Sequence, residues 1–326
     1  MELGAGKRKE TKLMEVNEQF INDLRNGDKR AISRAISIVE DGSAGSTELL
    51  KDIFKYTGKA HRIGITGPPG AGKSSITNCL AKMLIDSGHK VGIIAVDPTS
   101  PFTGGALLGD RIRMQEVGLL PEVFIRSMAT RGSLGGLSKS VVEACDILDA
   151  SGKDFILIET VGVGQSELDI AQTCDTTVVV LVPESGDAVQ AMKAGLMEIA
   201  DIFVVNKSDR EGAAGVATTI RNIIHLKPPS EDNWEIKVLN TASIKNEGIT
   251  ELLEEIMRHT NHLEESGFLR KKRTSNLVKK INELVNDRLQ TTFWNSAHTE
   301  DLKKNLPSIY ERNNDPYTYV DNLLKT

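Results

Sequence analysis

Short apolar runs alternate with helical segments along most of the chain, from residue 62 to about residue 259. Most of these runs are continuously apolar, which is typical of parallel strands that helices cover on both faces. Helical segments between successive runs imply right-handed β-α-β crossovers. We therefore predict an α/β fold with a doubly wound, mostly parallel sheet. The predicted strands are residues 63–66, 91–96, 123–126, 155–159, 177–182, 202–206 and 236–239.

The chain begins with a helical pattern instead. From residue 29 to residue 40, apolar side chains recur at i, i+3, i+4 and i+7, so one face of a helix would be buried. Asp28 precedes this segment and can cap the helix through a side-chain oxygen. A second helix is predicted at residues 47–56. We interpret residues 1–60 as an N-terminal helical extension that packs against the rest of the protein or against another partner.

The end of the chain is helical in pattern as well, and we interpret residues 61–260 as the central domain and residues 261–326 as a C-terminal helical arm. Within this arm, five apolar side chains recur at i, i+4, i+7, i+8 and i+12 and form one stripe. Such a stripe suits either a partner helix or the chain's own central domain. The polar segment from residue 293 onward is expected to be loosely packed. The stripe consists of Leu277, Ile281, Leu284, Val285 and Leu289.

Composition narrows the possible function classes. The 326 residues carry a net charge of −5, which gives no general electrostatic reason to bind nucleic acid or an anionic membrane. No apolar run approaches the length that spans a bilayer, so we expect no membrane partner. The three cysteines are widely spaced and form no C-x-x-C pair of the kind that binds zinc or cycles redox state. We predict reduced, buried cysteines in a cytoplasmic protein, or in a mitochondrial matrix protein whose presequence was removed.

The clearest motif follows the first predicted strand. Residues 67–74 read GPPGAGKS, which has the G-x-x-x-x-G-K-S spacing of a phosphate-binding loop between a strand and a helix. Its glycines allow consecutive N–H groups to turn toward phosphate oxygens, and the helix N-terminus adds a positive dipole. Lys73 is predicted to reach the β- and γ-phosphates, and the Ser74 hydroxyl to bind Mg²⁺ on the same phosphates. The predicted nucleotide contacts are Gly67, Pro68, Pro69, Gly70, Ala71, Gly72, Lys73, Ser74 and Ser75.

Acidic residues end two later predicted strands. Ligands gather at the carboxyl ends of parallel strands, so Asp97 and Glu159 are predicted to lie near the phosphate loop. Mg²⁺ takes one or two carboxylates, with Asp97 as the first candidate, Asp110 as the second, and Glu159 acting through a bound water. Asp97 could instead cap the turn before Pro98, and Asp110 could cap a turn or pair with an arginine. Gly162 is predicted to sense the γ-phosphate through its N–H.

A four-residue motif after the sixth predicted strand indicates the base. Asn206, Lys207 and Asp209 form an N-K-x-D pattern. Guanine presents N1–H and its exocyclic amine side by side, and a carboxylate accepts both, whereas adenine presents an acceptor at N1. We predict that Asp209 selects GTP and GDP, that Asn206 holds the loop, and that the Lys207 stem packs on the ring. A backbone N–H for guanine O6 is expected from Thr241, Ala242 and Ser243.

These motifs together resemble those of the MeaB/ArgK group of P-loop GTPases. The group comprises G-protein chaperones of adenosylcobalamin-dependent acyl-CoA mutases, methylmalonyl-CoA mutase above all. The resemblance covers roughly residues 15–286. It rests on GPPGAGKS at 67–74, VDPTSP at 96–101, GDR at 109–111, ETVGVGQSE at 159–167 and NKSD at 206–209.

The resemblance implies a homodimer built partly by C-terminal helices, slow GTP hydrolysis that the mutase accelerates, and a role in loading or protecting the cofactor. It also implies an additional switch at residues 182–193. From this switch Lys193 would neutralise charge in the transition state, unless it is an ordinary solvated lysine. An older label of the group is a kinase of a lysine/arginine/ornithine transport system. A nickel metallochaperone GTPase is a further alternative, although the six histidines are scattered and form no metal-binding cluster with cysteine.

Overall fold

The structure, a computed structural model, describes residues 17–43, 45–97, 115–129, 139–160, 166–183, 195–228 and 230–325. The chain divides into two compact units, Met1–Leu269 and Arg270–Thr326. The first unit contains the sheet and the helices that cover it, and the second is helical. No helix within the described ranges is long and apolar enough to cross a membrane.

Seven strands of the described chain form one parallel sheet, in the order β3-β2-β4-β1-β5-β6-β7. This result confirms the predicted α/β fold, and the observed strands lie within two or three residues of the predicted ends. The central position of β1, between β4 and β5, places the loop that follows it in the middle of the carboxyl edge. The strands are β1 His61–Thr66, β2 Val91–Asp97, β3 Val123–Ala129, β4 Phe155–Glu159, β5 Thr176–Leu181, β6 Ile202–Val205 and β7 Lys237–Asn240.

Helices cover both faces of the sheet. Successive strand residues point to opposite faces, so neighbouring residues pack in different clusters. Ile94 and Ile156 pack in one buried cluster with α1–α3 and α6, whereas Ile93 and Leu157 pack in another with α4 and α10. The helices of the first unit are α1 Glu18–Arg25, α2 Lys29–Glu40, α3 Ser46–Phe54, α4 Lys73–Asp86, α5 Gln115–Gly118, α6 Lys139–Ala150, α7 Ser166–Thr173, α8 Leu196–Ile199, α9 Ala213–His225 and α10 Ile249–Glu265.

The N-terminal helices belong to the first unit and are fixed to it by buried polar contacts. The predicted helix at residues 29–40 is confirmed, and the Asp28 side chain accepts from two backbone N–H groups at its start. Asp149 of α6 is buried, and its carboxylate accepts from the backbone N–H groups of Gly58, Lys59 and Ala60. Three hydrogen bonds to one buried carboxylate satisfy its charge and fix the chain just before β1.

The C-terminal part consists of α11 Phe268–Phe293, α12 Ser296–Tyr310 and α13 Pro316–Leu323. After residue 293 the chain forms two helices with side-chain caps, and within the described residues only Tyr319 and Leu323 are buried there, which agrees with the expected loose packing. Tyr319 is buried, and its hydroxyl donates to Asp301 Oδ2 at 3.0 Å, which joins α13 to α12.

None of the three cysteines, all within the described residues, forms a disulfide bond. Cys145 and Cys174 are buried as predicted, whereas Cys79 is only half-buried. Burial raises the pKa of the Cys79 thiol, so its reactive thiolate form is disfavoured.

Candidate active site

The loop between β1 and α4 has a backbone that only glycine can adopt at two positions. Gly67 has a φ of 134°, and a Cβ atom there would lie 2.0 Å from the Val180 carbonyl oxygen of β5. Gly72 has a φ of 88°, and a Cβ atom there would lie 2.3 Å from Asn206 Nδ2. Both distances are far inside van der Waals contact. The loop is therefore held close to β5 and β6, in a conformation that suits a phosphate cradle.

Lys73 lies at the start of α4 and bends back over this loop. Its Nζ donates to the carbonyl oxygens of Gly67 at 2.8 Å and Pro68 at 2.9 Å, and the residue is only 5% exposed. A buried ammonium is costly unless it has charged or polar partners. A phosphate bound at the N-terminus of α4 would give this ammonium a negatively charged partner, next to the positive end of the helix dipole.

A carboxylate from the neighbouring strand contacts the same helix. Ser74 Oγ donates to Glu159 Oε1 at 2.5 Å, and Thr77 Oγ1 lies 3.3 Å from Glu159 Oε2. Glu159 ends β4 and is only 5% exposed. Ser74 therefore orients Oε1, whereas the Thr77 hydroxyl is shared between Glu159 Oε2 and the Lys73 carbonyl oxygen at 2.9 Å. Sequence reasoning missed Thr77, although its position one helical turn after Lys73 puts it on the same face of α4 as the loop lysine.

Hydroxyl and carboxylate oxygens are the donor set that Mg²⁺ prefers, so Ser74 and Glu159 fit the predicted metal site. Asp97 ends β2, the strand beside β4, and its backbone lies two positions beyond Ala95, the register partner of Glu159. This register puts Asp97 at the same carboxyl edge as Glu159. The predicted site residues Asp110, Gly162 and Lys193 lie outside the described residues.

Asn206 joins the phosphate loop to the segment after β7. Its Nδ2 donates to the Ala71 carbonyl oxygen at 2.8 Å, while its Oδ1 accepts from Thr241 Oγ1 at 3.1 Å and from the Ser243 N–H at 3.2 Å. The side chain is 1% exposed, and every one of these contacts is internal to the protein. Asn206 therefore acts as a brace between the two halves of the site, in the loop-holding role expected for it.

The expected N–H donors to guanine O6 already have partners inside the protein. The N–H of Thr241 donates to the Val205 carbonyl oxygen at 2.9 Å, and that of Ala242 donates to the Glu247 carbonyl oxygen at 3.0 Å. The Ser243 N–H donates to Asn206. Each of the three N–H groups thus has an internal acceptor, and a contact from this segment to guanine stays a prediction.

Asp209 is the last residue of the N-K-x-D motif, and it forms an ion pair with a lysine that sequence reasoning missed. Lys245 Nζ lies 2.9 Å from Asp209 Oδ2. The hydrogen bond from this ammonium is the main reason that the pKa of Asp209 lies below its usual value. Lys207, between Asn206 and Asp209, has a φ of 56°, a left-handed conformation that is uncommon outside glycine. The sequence signal for Lys245 is weak, because it is one basic residue two positions after Ser243.

Comparisons with known proteins give a family match over most of the chain. The family model described as methylmalonyl-CoA mutase-associated GTPase MeaB matches residues 32–298. A protein of Pyrococcus abyssi that is named as a GTPase is 46% identical over 310 residues, which cover 94% of this chain and 96% of that protein. The mitochondrial methylmalonic aciduria type A homolog of Caenorhabditis elegans is 35% identical over 294 residues, covering 85% of this chain and 74% of that protein.

A solved structure is similar along nearly the whole chain. The crystal structure of an LAO/AO transport system kinase superposes with a TM-score of 0.71 and is 28% identical, covering 95% of this chain and 98% of that chain.

Proposed function

This chain belongs to the MeaB family of GTPases, and on that premise we propose that it binds GTP and hydrolyses it to GDP and phosphate with Mg²⁺. We further propose that it is the cytoplasmic chaperone of an adenosylcobalamin-dependent acyl-CoA mutase, methylmalonyl-CoA mutase in the first place, and gates the loading or protection of that cofactor. The observation that carries the proposal is the contact network at one sheet edge. There Ser74 bonds to Glu159, and Asn206 bonds to the loop residue Ala71.

The base site supports a guanine nucleotide. Asp209 is 36% exposed and ionised, since its pKa lies below the usual value for aspartate. An ionised carboxylate offers acceptors only, and it therefore matches the paired N1–H and amine donors of guanine. Adenine would place an acceptor against it. Asn206 holds this motif against the phosphate loop, so base and phosphates are bound by one connected unit.

The phosphates would lie on the loop and the first turn of α4. The positive φ angles of Gly67 and Gly72 shape the cradle, and the Lys73 ammonium is held over it by two carbonyl oxygens. A phosphate there gains a charge-assisted contact with Lys73 without the cost of ordering a free side chain. The loop residues from Gly67 to Ser75 are the proposed phosphate contacts.

Mg²⁺, when bound, would neutralise charge on the β- and γ-phosphate oxygens. We propose Ser74 Oγ as its protein ligand, because a hydroxyl that donates its proton to Glu159 keeps its lone pairs for a cation. Glu159 would fix that hydroxyl and accept from a metal-bound water. Asp97 is the proposed second carboxylate, and Asp110 remains the alternative.

The isolated protein should hydrolyse GTP slowly. Glu159 is engaged by Ser74 and Thr77, so it is poorly placed to act as a general base. Phosphoryl transfer depends on positioning and charge stabilisation more than on a base. We propose that binding of the partner mutase supplies the missing stabilisation by placing the Lys193 ammonium at the phosphates, with Gly162 sensing the γ-phosphate.

A homodimer is the proposed assembly. Six apolar side chains of α11, five of them the predicted stripe, are 41–62% exposed. They recur at helical spacing along more than three turns, and an exposed apolar stripe of this length is typical of an interaction surface. A second copy of α11 presents the same stripe, so the two would be self-complementary about a two-fold axis. The side chains are Leu277, Val278, Ile281, Leu284, Val285 and Leu289.

Rates of nucleotide hydrolysis by the purified protein test the enzymatic part of the proposal. GTP should be converted to GDP and free phosphate in a Mg²⁺-dependent reaction, while ATP should react far more slowly. GTP labelled at its γ-phosphate also tests the alternative that the protein is a kinase. A kinase would transfer the labelled phosphate to a protein acceptor. Equal rates with ATP and GTP, or label on protein instead of in free phosphate, would contradict the proposal.

A further inference from the structure

Two buried histidines lie at the amino edge of the sheet, opposite the proposed nucleotide site. His61 begins β1 and is 6% exposed, and His259 of α10 is 0% exposed. Both rings contact the hydroxyl of Thr176, the first residue of β5. Thr176 Oγ1 lies 2.8 Å from His61 Nε2 and 2.8 Å from His259 Nδ1. The proposed GTPase reaction uses neither ring, and histidine is the side chain that commonly changes charge near physiological pH.

The hydrogen bonds around Thr176 have a defined direction. Thr260 Oγ1 donates its only proton to the Ile256 carbonyl oxygen at 2.9 Å, so it can only accept from His61 Nε2, which lies 3.2 Å away. His61 Nε2 therefore carries a hydrogen, which Thr176 Oγ1 accepts as well. Thr176 then has its own proton left to donate to His259 Nδ1. In this arrangement Nδ1 of His259 is an acceptor and the His259 ring is neutral.

We propose that His61, Thr176 and His259 form a pH-sensitive latch that fixes α10 to the amino ends of β1 and β5. The latch is closed while His259 is neutral and opens when His259 takes up a proton. A proton on Nδ1 turns the acceptor into a donor, so N–H groups of both rings would face Thr176 Oγ1. The Thr176 proton would then lose its acceptor, and a buried donor without an acceptor costs free energy. A positive charge on a fully buried ring is costly as well unless it is paired.

An ion pair is available to the charged ring on its other side. His259 Nε2 lies 3.7 Å from Asp201 Oδ1, and the Asp201 side chain is 22% exposed, so water reaches this carboxylate. A displacement of the ring away from Thr176 would bring Nε2 within hydrogen-bond distance of Asp201. Protonation thus exchanges the hydroxyl of β5 for the carboxylate that precedes β6. The exchange moves the part of α10 that carries His259.

The other charged groups around the two rings decide which histidine switches. His61 Nδ1 lies 3.9 Å from Asp175 Oδ2, which also accepts from the Arg62 N–H. A proton on His61 would lie on this outer side and leave its bond to Thr176 intact, so His259 is the switching residue. The remaining charged or titratable groups near His259 are Asp201, Asp232, Arg258, Glu255 and His262.

The charges that face His259 favour its protonated form, in opposition to burial. Arg258 is paired with Glu255 at 2.5 Å, so these two charges largely cancel. Asp201 and Asp232 remain as the negative charges beside the ring. Burial and the Thr176 bond thus favour the neutral ring, whereas the two carboxylates favour the cation. Such opposing effects are what a switch between two states requires.

Fluorescence of Trp234 reports the protonation of His259, because the two rings pack with their centroids 4.6 Å apart. A protonated imidazole quenches the fluorescence of a neighbouring indole more than a neutral one does. The background for this measurement is full-length protein with Trp294→Phe, which leaves one tryptophan, and His262→Gln, which removes the second imidazole beside it. Glutamine can still donate to the Asp232 carbonyl oxygen as His262 does.

In this background the fluorescence should fall as the pH decreases from about 8 to about 5, the range in which histidine titrates. His259→Gln should abolish the change. Thr176→Val should move its midpoint to higher pH by about one unit, since the neutral ring loses a hydrogen bond, whereas Thr176→Ser should keep the midpoint. A constant fluorescence, a change that persists in His259→Gln, or equal midpoints in Thr176→Val and Thr176→Ser would overturn the proposal.

Hydrogen exchange of the backbone amides of residues 256–265 tests whether the proton releases α10. After correction for the intrinsic pH dependence of exchange, these amides should exchange about tenfold faster below the transition than above it. His259→Gln should remove this difference, and His262→Gln should retain it. Exchange that does not change across the transition would show that α10 stays fixed, and the latch would be disproved. The unmodified protein is sufficient for this measurement, so the test does not depend on the folding of any variant.

Discussion

Ser74 Oγ donates a 2.5 Å hydrogen bond to Glu159 Oε1, and this contact joins the first turn of α4 to the end of β4. The bond fixes the direction of the only proton on the Ser74 hydroxyl, so the lone pairs are left facing away from Glu159. A hydroxyl oriented in this way is prepared for a cation before any nucleotide arrives. The pair is thus the centre of the proposed Mg²⁺ site.

Glu159→Gln tests this orientation. The amide replaces one acceptor oxygen with a donor, so it can no longer hold both the Ser74 and Thr77 hydroxyls in the observed way. We expect the Mg²⁺ concentration for half-maximal GTP hydrolysis to rise about tenfold, the lower end of effects seen when a group that orients a metal ligand is removed. Binding of GDP without metal should change little. A Mg²⁺ titration of the hydrolysis rate is the measurement. Thr77→Ser, which keeps the hydroxyl, is the control, and an unchanged Mg²⁺ requirement in Glu159→Gln would contradict the assignment.

Gly72→Ala should remove nucleotide binding and destabilise the protein. The new Cβ would lie 2.3 Å from Asn206 Nδ2, and the φ of 88° is strained for alanine. Gly215→Ala is the matched control, because Gly215 lies inside α9 and a Cβ there meets nothing within 4 Å. The control should be neutral, or more stable by up to about 1 kcal/mol, since alanine favours helix. Thermal unfolding and titration with a fluorescent GDP analogue report both effects, and equal behaviour of the two variants would refute the close approach of loop and Asn206.

Asp209→Asn should change the base that the protein prefers. The asparagine amide donates where the carboxylate accepted, which suits the C2 carbonyl of xanthine and not the amine of guanine. We expect the affinity for GDP to fall by at least tenfold and the affinity for XDP to rise. Competition binding with GDP, XDP and ADP measures the change. A variant that keeps its GDP preference would remove Asp209 from the base site.

Much of this arrangement could be predicted from the sequence, because it follows from short-range patterns. The strands are recognisable as apolar runs, and the phosphate loop has a fixed spacing between Gly67 and Ser74. The capped helix Lys29–Glu40 follows from Asp28 and the helical periodicity. Each of these features is determined within about a dozen residues, so no knowledge of long-range packing is needed.

The contacts that could not be predicted depend on the turns at the sheet edge. Lys245 and Asp209 are 36 positions apart, and their meeting depends on the 3₁₀ turn after Ala242. The inward bonds of Thr241, Ala242 and Ser243 depend on the same turn and on Asn206. No residue pattern indicates such pairings, since a single lysine near a motif is common on any surface.

The buried Lys153 leads us to predict that the free energy of unfolding depends on pH, for a reason unrelated to the nucleotide site. This buried residue donates to the Glu122 carbonyl oxygen at 2.9 Å, and burial, followed by the nearby ammonium groups of Lys29 and Lys90, lowers its pKa to about 8. In the unfolded chain the lysine pKa is about 10.4. Between these two values the unfolded state binds more protons, so the free energy of unfolding gains a contribution that rises with pH.

Lys153→Met lacks this contribution. The free energy of unfolding of the unmodified protein, relative to that of the variant, should therefore rise by about 1 kcal/mol or more as the pH increases from about 8 to about 10. Urea unfolding at several pH values measures the difference. Lys51→Met serves as the control, because Lys51 is exposed on α3 and its effect should be independent of pH in that window. If the difference in the free energy of unfolding between the unmodified protein and Lys153→Met does not change with pH, the buried amine does not lose its proton on folding and the prediction is wrong.

The most direct test of the proposed role is single-turnover GTP hydrolysis by the full-length protein, alone and with saturating methylmalonyl-CoA mutase carrying adenosylcobalamin. The family assignment and the engaged state of Glu159 lead us to expect a slow rate alone. The mutase should accelerate it by at least tenfold, and a control protein of similar size should not. Removing the proposed stabilising charge with Lys193→Ala should abolish most of that acceleration while GTP affinity stays the same. A hydrolysis rate that the mutase leaves unchanged would contradict the chaperone role.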